Sequence, residues 1–103
     1  MVVEIDIFSG RPNPRWLLSE AETARLTRLL RTLESATGEP PDPPGLGYRG
    51  FRLHDSNGSA WSAYRGFVHS PDGLLADPDR RVERFLLEHL PAEYETLRSS
   101  LEI

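Results

Sequence analysis

Tyr48-Arg49-Gly50-Phe51-Arg52-Leu53-His54-Asp55-Ser56-Asn57-Gly58-Ser59-Ala60-Trp61-Ser62-Ala63-Tyr64-Arg65-Gly66-Phe67 reads as an antiparallel hairpin. The tetrapeptide Tyr-Arg-Gly-Phe occurs at 48–51 and again at 64–67, and Asp55-Ser56-Asn57-Gly58 between the copies supplies the turn. With Gly58 in the left-handed position of a three-residue loop, Tyr64 faces Gly50 and Tyr48 faces Gly66. Each tyrosine then covers the gap that a strand glycine leaves. The same register puts Phe51, Leu53, Trp61 and Phe67 on one face and Arg52, His54 and Tyr64 on the other. A slip of one residue mixes the sets, so burial of one face selects this register.

Toward the N-terminus, Val3, Ile5 and Ile7 alternate with Glu4 and Asp6, which predicts a half-buried strand over 2–8. Phe8-Ser9-Gly10-Arg11-Pro12-Asn13-Pro14-Arg15-Trp16 follows. Its prolines fix their own φ and hold Arg11 and Asn13 out of the helical region, so the segment is expected to be a stiff, extended connector. Ser19 stands three residues before Glu22, the capping-box spacing, and Leu26, Leu29, Leu30 and Leu33 recur at helical spacing, predicting a helix over 20–35. Arg25, Arg28 and Arg31 fall on its other side, a solvated face. Residues 37–47, with four prolines and three glycines, are a loop that is partly polyproline II. Farther on, Asp77 is placed to cap a helix that begins at Pro78, with Val82, Phe85, Leu86 and Leu90 as its apolar stripe. Pro91 interrupts that stripe and Tyr94, Leu97 and Leu101 continue it, so 78–101 is either one kinked helix or two short ones.

The expected order is β-α-β-β-α: an antiparallel hairpin and an N-terminal strand with the helices on one face, a small two-layer α+β domain spanning 1–103 as a single unit. Three strands leave a sheet face and two edges open, which gives room for a partner protein or a homodimer.

A chain of 103 residues buries about two-thirds of the surface its unfolded form exposes, enough for a core without staples. It has no cysteine, which excludes disulfides, thiolate zinc sites and cysteine nucleophiles. Acids stand among the first residues with no basic stretch before them, and no apolar run approaches the roughly 20 residues of a membrane span. The expectation is a soluble cytoplasmic protein with no membrane contact. All 12 basic residues are arginine, a bias typical of GC-rich coding sequence. A net charge of −4 opposes binding to phosphate backbones, so nucleic acid is not an expected partner.

His54, His69 and His89 lack metal-ligand spacing, and the hairpin register sends His54 and His69 to opposite faces, so no metal site is expected. Glu4 and Asp6 share a strand face and can in principle do acid/base work, but the pattern equals that of ordinary solvent-facing positions. The nucleophile-elbow, P-loop and dinucleotide patterns are absent, so no catalytic residue and no cofactor is assigned. Arg65-Gly66-Phe67-Val68 overlaps part of the RNA-recognition strand motif, without the rest of that motif or a fourth strand. What remains is a candidate binding patch in which Arg11, Asn13, Arg15 and Trp16 of the proline motif join Arg49, Arg52 and Arg65, each guanidinium able to grip a carboxylate or phosphate bidentately. The architectural alternative has Arg11 bonding carbonyls of its own turn.

Ile5-Asp6-Ile7-Phe8-Ser9-Gly10-Arg11-Pro12-Asn13-Pro14-Arg15-Trp16, together with Pro43-Pro44-Gly45-Leu46-Gly47-Tyr48-Arg49-Gly50-Phe51 and Arg84-Phe85-Leu86-Leu87, resembles a group of small proteins from GC-rich bacteria and some fungi. No activity attaches to that group, so the resemblance implies only that the proline motif and the Gly-Tyr-Arg-Gly-Phe strand go together. The functional expectation is a non-enzymatic protein-interaction module using the Arg-Pro-Asn-Pro-Arg-Trp surface and an exposed sheet edge or helix face. The alternative is a small anion-binding protein or enzyme with an Arg-lined pocket.

Overall fold

Along the chain, the computed structural model, which describes residues 1–101 and 103, runs β1 (Val2–Ile5), β2 (Arg15–Leu17), α1 (Glu20–Thr32), β3 (Phe51–His54), β4 (Ala60–Tyr64), β5 (Phe67–Ser70), β6 (Gly73–Ala76) and α2 (Arg81–Glu88). Short 3₁₀ segments, Pro78–Arg80 and Ala92–Ser100, flank α2. The strands form one antiparallel sheet in the order β2-β1-β3-β4-β5-β6. This is an α+β fold, with more strands than the predicted β-α-β-β-α.

Over 51–54 and 60–63 the central hairpin forms in the expected register, with Phe51 facing Ala63, Leu53 facing Trp61 and His54 facing Ala60, but Tyr48 does not face Gly66, whose carbonyl accepts from Asp77 N–H instead. Gly58 takes φ +84°, and Asp55 organises the turn by accepting the N–H bonds of Asn57 and Ser59 on one carboxylate oxygen, each at 2.9 Å. At Gly50 the backbone leaves the simple ladder. Asp6 N–H donates to Gly50 O while Arg49 N–H donates to Asp6 O, so two residues oppose one, as in a β-bulge. Only glycine suits the site, since φ is +114° and an added Cβ would lie 2.6 Å from the Ala63 carbonyl oxygen. The bulge reverses side-chain alternation. Tyr48 thereby packs edge-on to Phe51 and reaches α2, while Arg49 joins Arg52 on the other face.

Three further strands escape the sequence pattern. The proline motif is extended, as expected, but it turns back on itself: Ile5 N–H donates to Pro14 O and β2 pairs with β1, Val3 facing Trp16. The predicted long second strand of the hairpin breaks at Arg65-Gly66, both with positive φ, a tight turn into β5. Phe67 therefore faces Tyr64 and shares its side of the sheet, not that of Phe51. His69 pairs with Ser62, and it lies with His54 on the same outer face rather than opposite to it.

The inner face carries Val3, Ile5, Phe51, Leu53, Ala63 and Val68, fully buried against Leu26 and Leu30 of α1 and Val82 and Leu86 of α2. The Ser19 capping box forms with both bonds, and α1 ends at Thr32, short of the predicted boundary. The reason is tertiary: Glu34 O and Ala36 N–H bond across to β6, so the chain after the helix closes that sheet edge. The helix does not begin at Pro78: a left-handed pair, Asp79 and Arg80, intervenes, α2 starts at Arg81 with Arg80 at its N-cap position, and Asp77 reaches the first turn from upstream, its Oδ2 accepting from Val82 N–H at 3.0 Å. Pro91 separates α2 from the 3₁₀ segment 92–100, so of the two alternatives the chain takes two short elements.

Candidate functional site

Asn13 explains the proline motif. Its Oδ1 accepts the N–H groups of Ile7 and Phe8 at 3.1 and 2.8 Å, and its Nδ2 donates to Glu4 at 2.9 Å, so one side chain ties the turn to β1. Trp16 points inward, its ring edge-on to Phe51 and tilted against Tyr94, and its indole N–H is buried without a partner among the described residues.

Glu4 and Asp6 are not the free solvent-facing acids expected. Asp6 accepts from Arg49 on Oδ1 at 2.9 Å and from Arg52 on Oδ2 at 3.0 Å, while Glu4 lies within 3.9 Å of Arg15 and 3.8 Å of Arg52. Arg49 also donates to the carbonyls of Gly45 and Phe8, so four hydrogen bonds hold its guanidinium. The carbonyl-bonding role predicted for Arg11 thus belongs to Arg49. Arg11 instead sits over the Phe8 ring, its guanidinium carbon 3.7 Å from the ring centre. Arg65 is at the β4–β5 turn, against the Tyr64 ring at 5.5 Å. The structure therefore gathers Asn13, Arg15, Arg49 and Arg52 around two carboxylates, and leaves Arg11, Trp16 and Arg65 outside that cluster.

Several concavities surround the sheet, one of about 290 Å³ lying between the end of α1 and Pro78 and Arg81. Under Pro40, Pro41 and Pro43 lies a cavity of about 180 Å³ that includes Arg52, Phe67 and His69. Beside Arg11, an open groove of about 430 Å³ runs between the proline motif and Tyr94 and Leu97. The largest, about 680 Å³, is at the opposite end of the domain, between α1 and the two turns 55–59 and 70–73. None combines Arg11, Trp16 and a histidine. Among the described residues, no three His, Asp or Glu side chains gather into a set able to hold a metal ion.

A second polar cluster lies on the inner side, between Tyr48, Arg80 and Glu83. Glu83 is fully buried, receives the Tyr48 hydroxyl at 2.5 Å, and is held by Arg80 through Nε at 3.0 Å and Nη2 at 2.7 Å. Burial, reinforced by the Glu83 charge, pushes the Tyr48 phenol far above its ordinary range, so it stays a hydrogen-bond donor. The hydrogen bonds to Glu83 raise Arg80. Next to them Asp77 is buried with Oδ1 unpartnered among the described residues, and desolvation raises its pKa. The available signal was Glu83 itself, an acid on the stripe of Val82, Leu86 and Leu90. At the α1–α2 contact, His89 bonds Phe85 O through Nδ1 at 2.7 Å and meets Arg25 through Nε2 at 3.2 Å; Nδ1–H donation leaves Nε2 to accept from the guanidinium. Beside it Glu22 is lowered, first by its bond from the Ser19 backbone and less by His89.

Comparison with protein-family models, with curated proteins and with solved structures finds no match to this chain. No helix of the described residues is long and apolar enough to cross a membrane.

Proposed function

We propose that this domain is a non-enzymatic interaction module whose outer sheet face takes an acidic segment of a partner protein. The observation that supports it is the layering of charge on that face. The side chains of Glu4 and Asp6 are 14 and 13 % exposed, while Arg15 and Arg52 above them are 59 and 49 % exposed. The acids neutralise the arginines from beneath, and the unused guanidinium donors face water. Among the described residues Arg52 makes a single hydrogen bond, to Asp6, out of five N–H groups. In a chain of net charge −4 this is a local cationic surface, and its complement is acidic.

Exposed Leu17 and His69, with Phe67 and Tyr64, share the face and add apolar and aromatic contact. The sheet edges offer less. Segment 34–36 closes the β6 side, and β2 is short, preceded by Pro14, with the Tyr94 hydroxyl 3.4 Å from Arg15 O. In this reading Asn13, Trp16 and Arg49 position the surface, and Arg15 and Arg52 touch the partner.

The test is calorimetric titration with a synthetic peptide alternating Glu and Leu, at low and at physiological salt. Binding should weaken with salt and fall at least about 10-fold in an Arg15→Ala/Arg52→Ala variant that melts near the wild type. Absence of binding, or equal binding by the variant, overturns the reading. So does preferential binding of oligouridylate, or a dimer in light scattering that the double substitution dissolves.

A further inference from the structure

We infer that the large cleft at the turn end of the domain is a binding site for a neutral polyhydroxylated ligand, a short oligosaccharide segment, independent of the outer face. The first observation is Trp61. It stands on the inner face opposite Leu53, yet the helix layer that buries Leu53 and Val68 completely leaves Trp61 only half-buried, at the cleft. Trp61 lines the cleft together with Leu30 and Leu75, an aromatic and apolar lining of the kind on which the C–H face of a pyranose ring can pack.

The second observation is what rings that floor. Asp55 belongs to one turn and Asp72 to the other, with Arg31 of α1 across from them. The Asp72 carboxylate, the Asp55 Oδ2 oxygen and the Arg31 guanidinium have no hydrogen-bond or ion-pair partner among the described residues. Planar carboxylates and a planar guanidinium take neighbouring hydroxyls two at a time, the carboxylates as acceptors and the guanidinium as donor. Their opposed signs disfavour a ligand of strong single charge, which would meet repulsion from one side. A polyol meets none, because each hydroxyl both donates and accepts.

Size agrees. About 680 Å³ falls within the roughly 300–1,000 Å³ of small-molecule sites and holds more than one sugar ring. The turns that carry the acids are built rigidly: Asp55 Oδ1 is tied to its own loop, and Ser70 Oγ accepts from Asp72 N–H while donating to Gly73 O. The polar groups are thus preset rather than recruited.

The experiment is amide-resolved NMR titration of the full chain with maltotriose, cellotriose and chitotriose, and with tetramethylammonium chloride and sodium acetate as charged controls. The expected result is saturable binding of at least one trisaccharide at about millimolar affinity, with shifts confined to 23–31, 55–61 and 70–75. Trp61→Ala should abolish them. Asp72→Asn, on an exposed turn where folding is not at stake, should weaken binding about 5-fold or more. No response to any sugar, shifts elsewhere, full binding by Asp72→Asn, or a response to either charged control alone overturns the inference.

Discussion

The domain holds two arginine–carboxylate clusters that differ chiefly in their access to water. On the outer face Glu4 and Asp6 sit under Arg15, Arg49 and Arg52, and two of the arginines reach solvent. On the inner side Glu83 of α2 is fully buried, held by the Tyr48 hydroxyl and by Arg80, whose side chain is only partly covered. The same chemistry has opposite uses. Where water screens the pairs each contact is worth little and the charges remain able to exchange partners; where water is excluded, removing one member strands the others.

Glu83→Ala is the sharpest way to break the comparison. Loss of one partner from a buried pair costs about 3–5 kcal/mol, and the low end is expected because the Arg80 guanidinium keeps some access to water. Urea unfolding measures it, and a loss below about 1 kcal/mol would erase the distinction between the clusters. Asn13→Ala should follow at about 2 kcal/mol, since it deprives two partly buried N–H groups of their acceptor.

Asp77 gives the inner cluster a pH signature. Its folded pKa is raised by burial, so the ionised form is disfavoured in the fold and wild-type stability is lost as pH rises through the unfolded and then the folded pKa. Asp77→Asn keeps an oxygen for Val82 N–H without the charge. Its urea midpoint should exceed that of the wild type at neutral pH, with the gap closing in acid; a pH-independent gap contradicts the assignment. Glu22 runs the other way. Its lowered pKa stabilises above the unfolded value and is lost as pH falls, so Glu22→Gln should narrow its deficit in acid.

The smallest effects belong to the outer face. Arg52→Ala and Arg15→Ala should each cost no more than about 1 kcal/mol in stability. Arg11→Ala, which removes an exposed stacking contact, should do the same. A thermal melt of each settles whether these arginines are free for a partner. A loss comparable to that of Glu83→Ala would make them structural clamps.

Local signals were legible wherever the cause was local. Ser19 and Glu22 announced a cap, Gly58 a turn, and the alternation through Phe51 and Leu53 a register, because each depends on atoms within a few residues. The binding patch was legible only as a list of arginines. Trp16 packs inward, Asn13 is tied to β1 and Glu4, and Arg49 is shared between Asp6 and two carbonyls, outcomes that depend on the bulge at Gly50 and on where β2 lies.

The amino-acid order by itself determined the α+β class, the central hairpin with its pairing, and the capped first helix, since periodicity and turn chemistry suffice for these. Tertiary structure alone decided that the proline motif folds back as β2, that Gly50 turns Tyr48 toward Glu83, and that the outer acids lie under their arginines. Each rests on contacts between segments far apart in the chain, whose geometry no local pattern encodes.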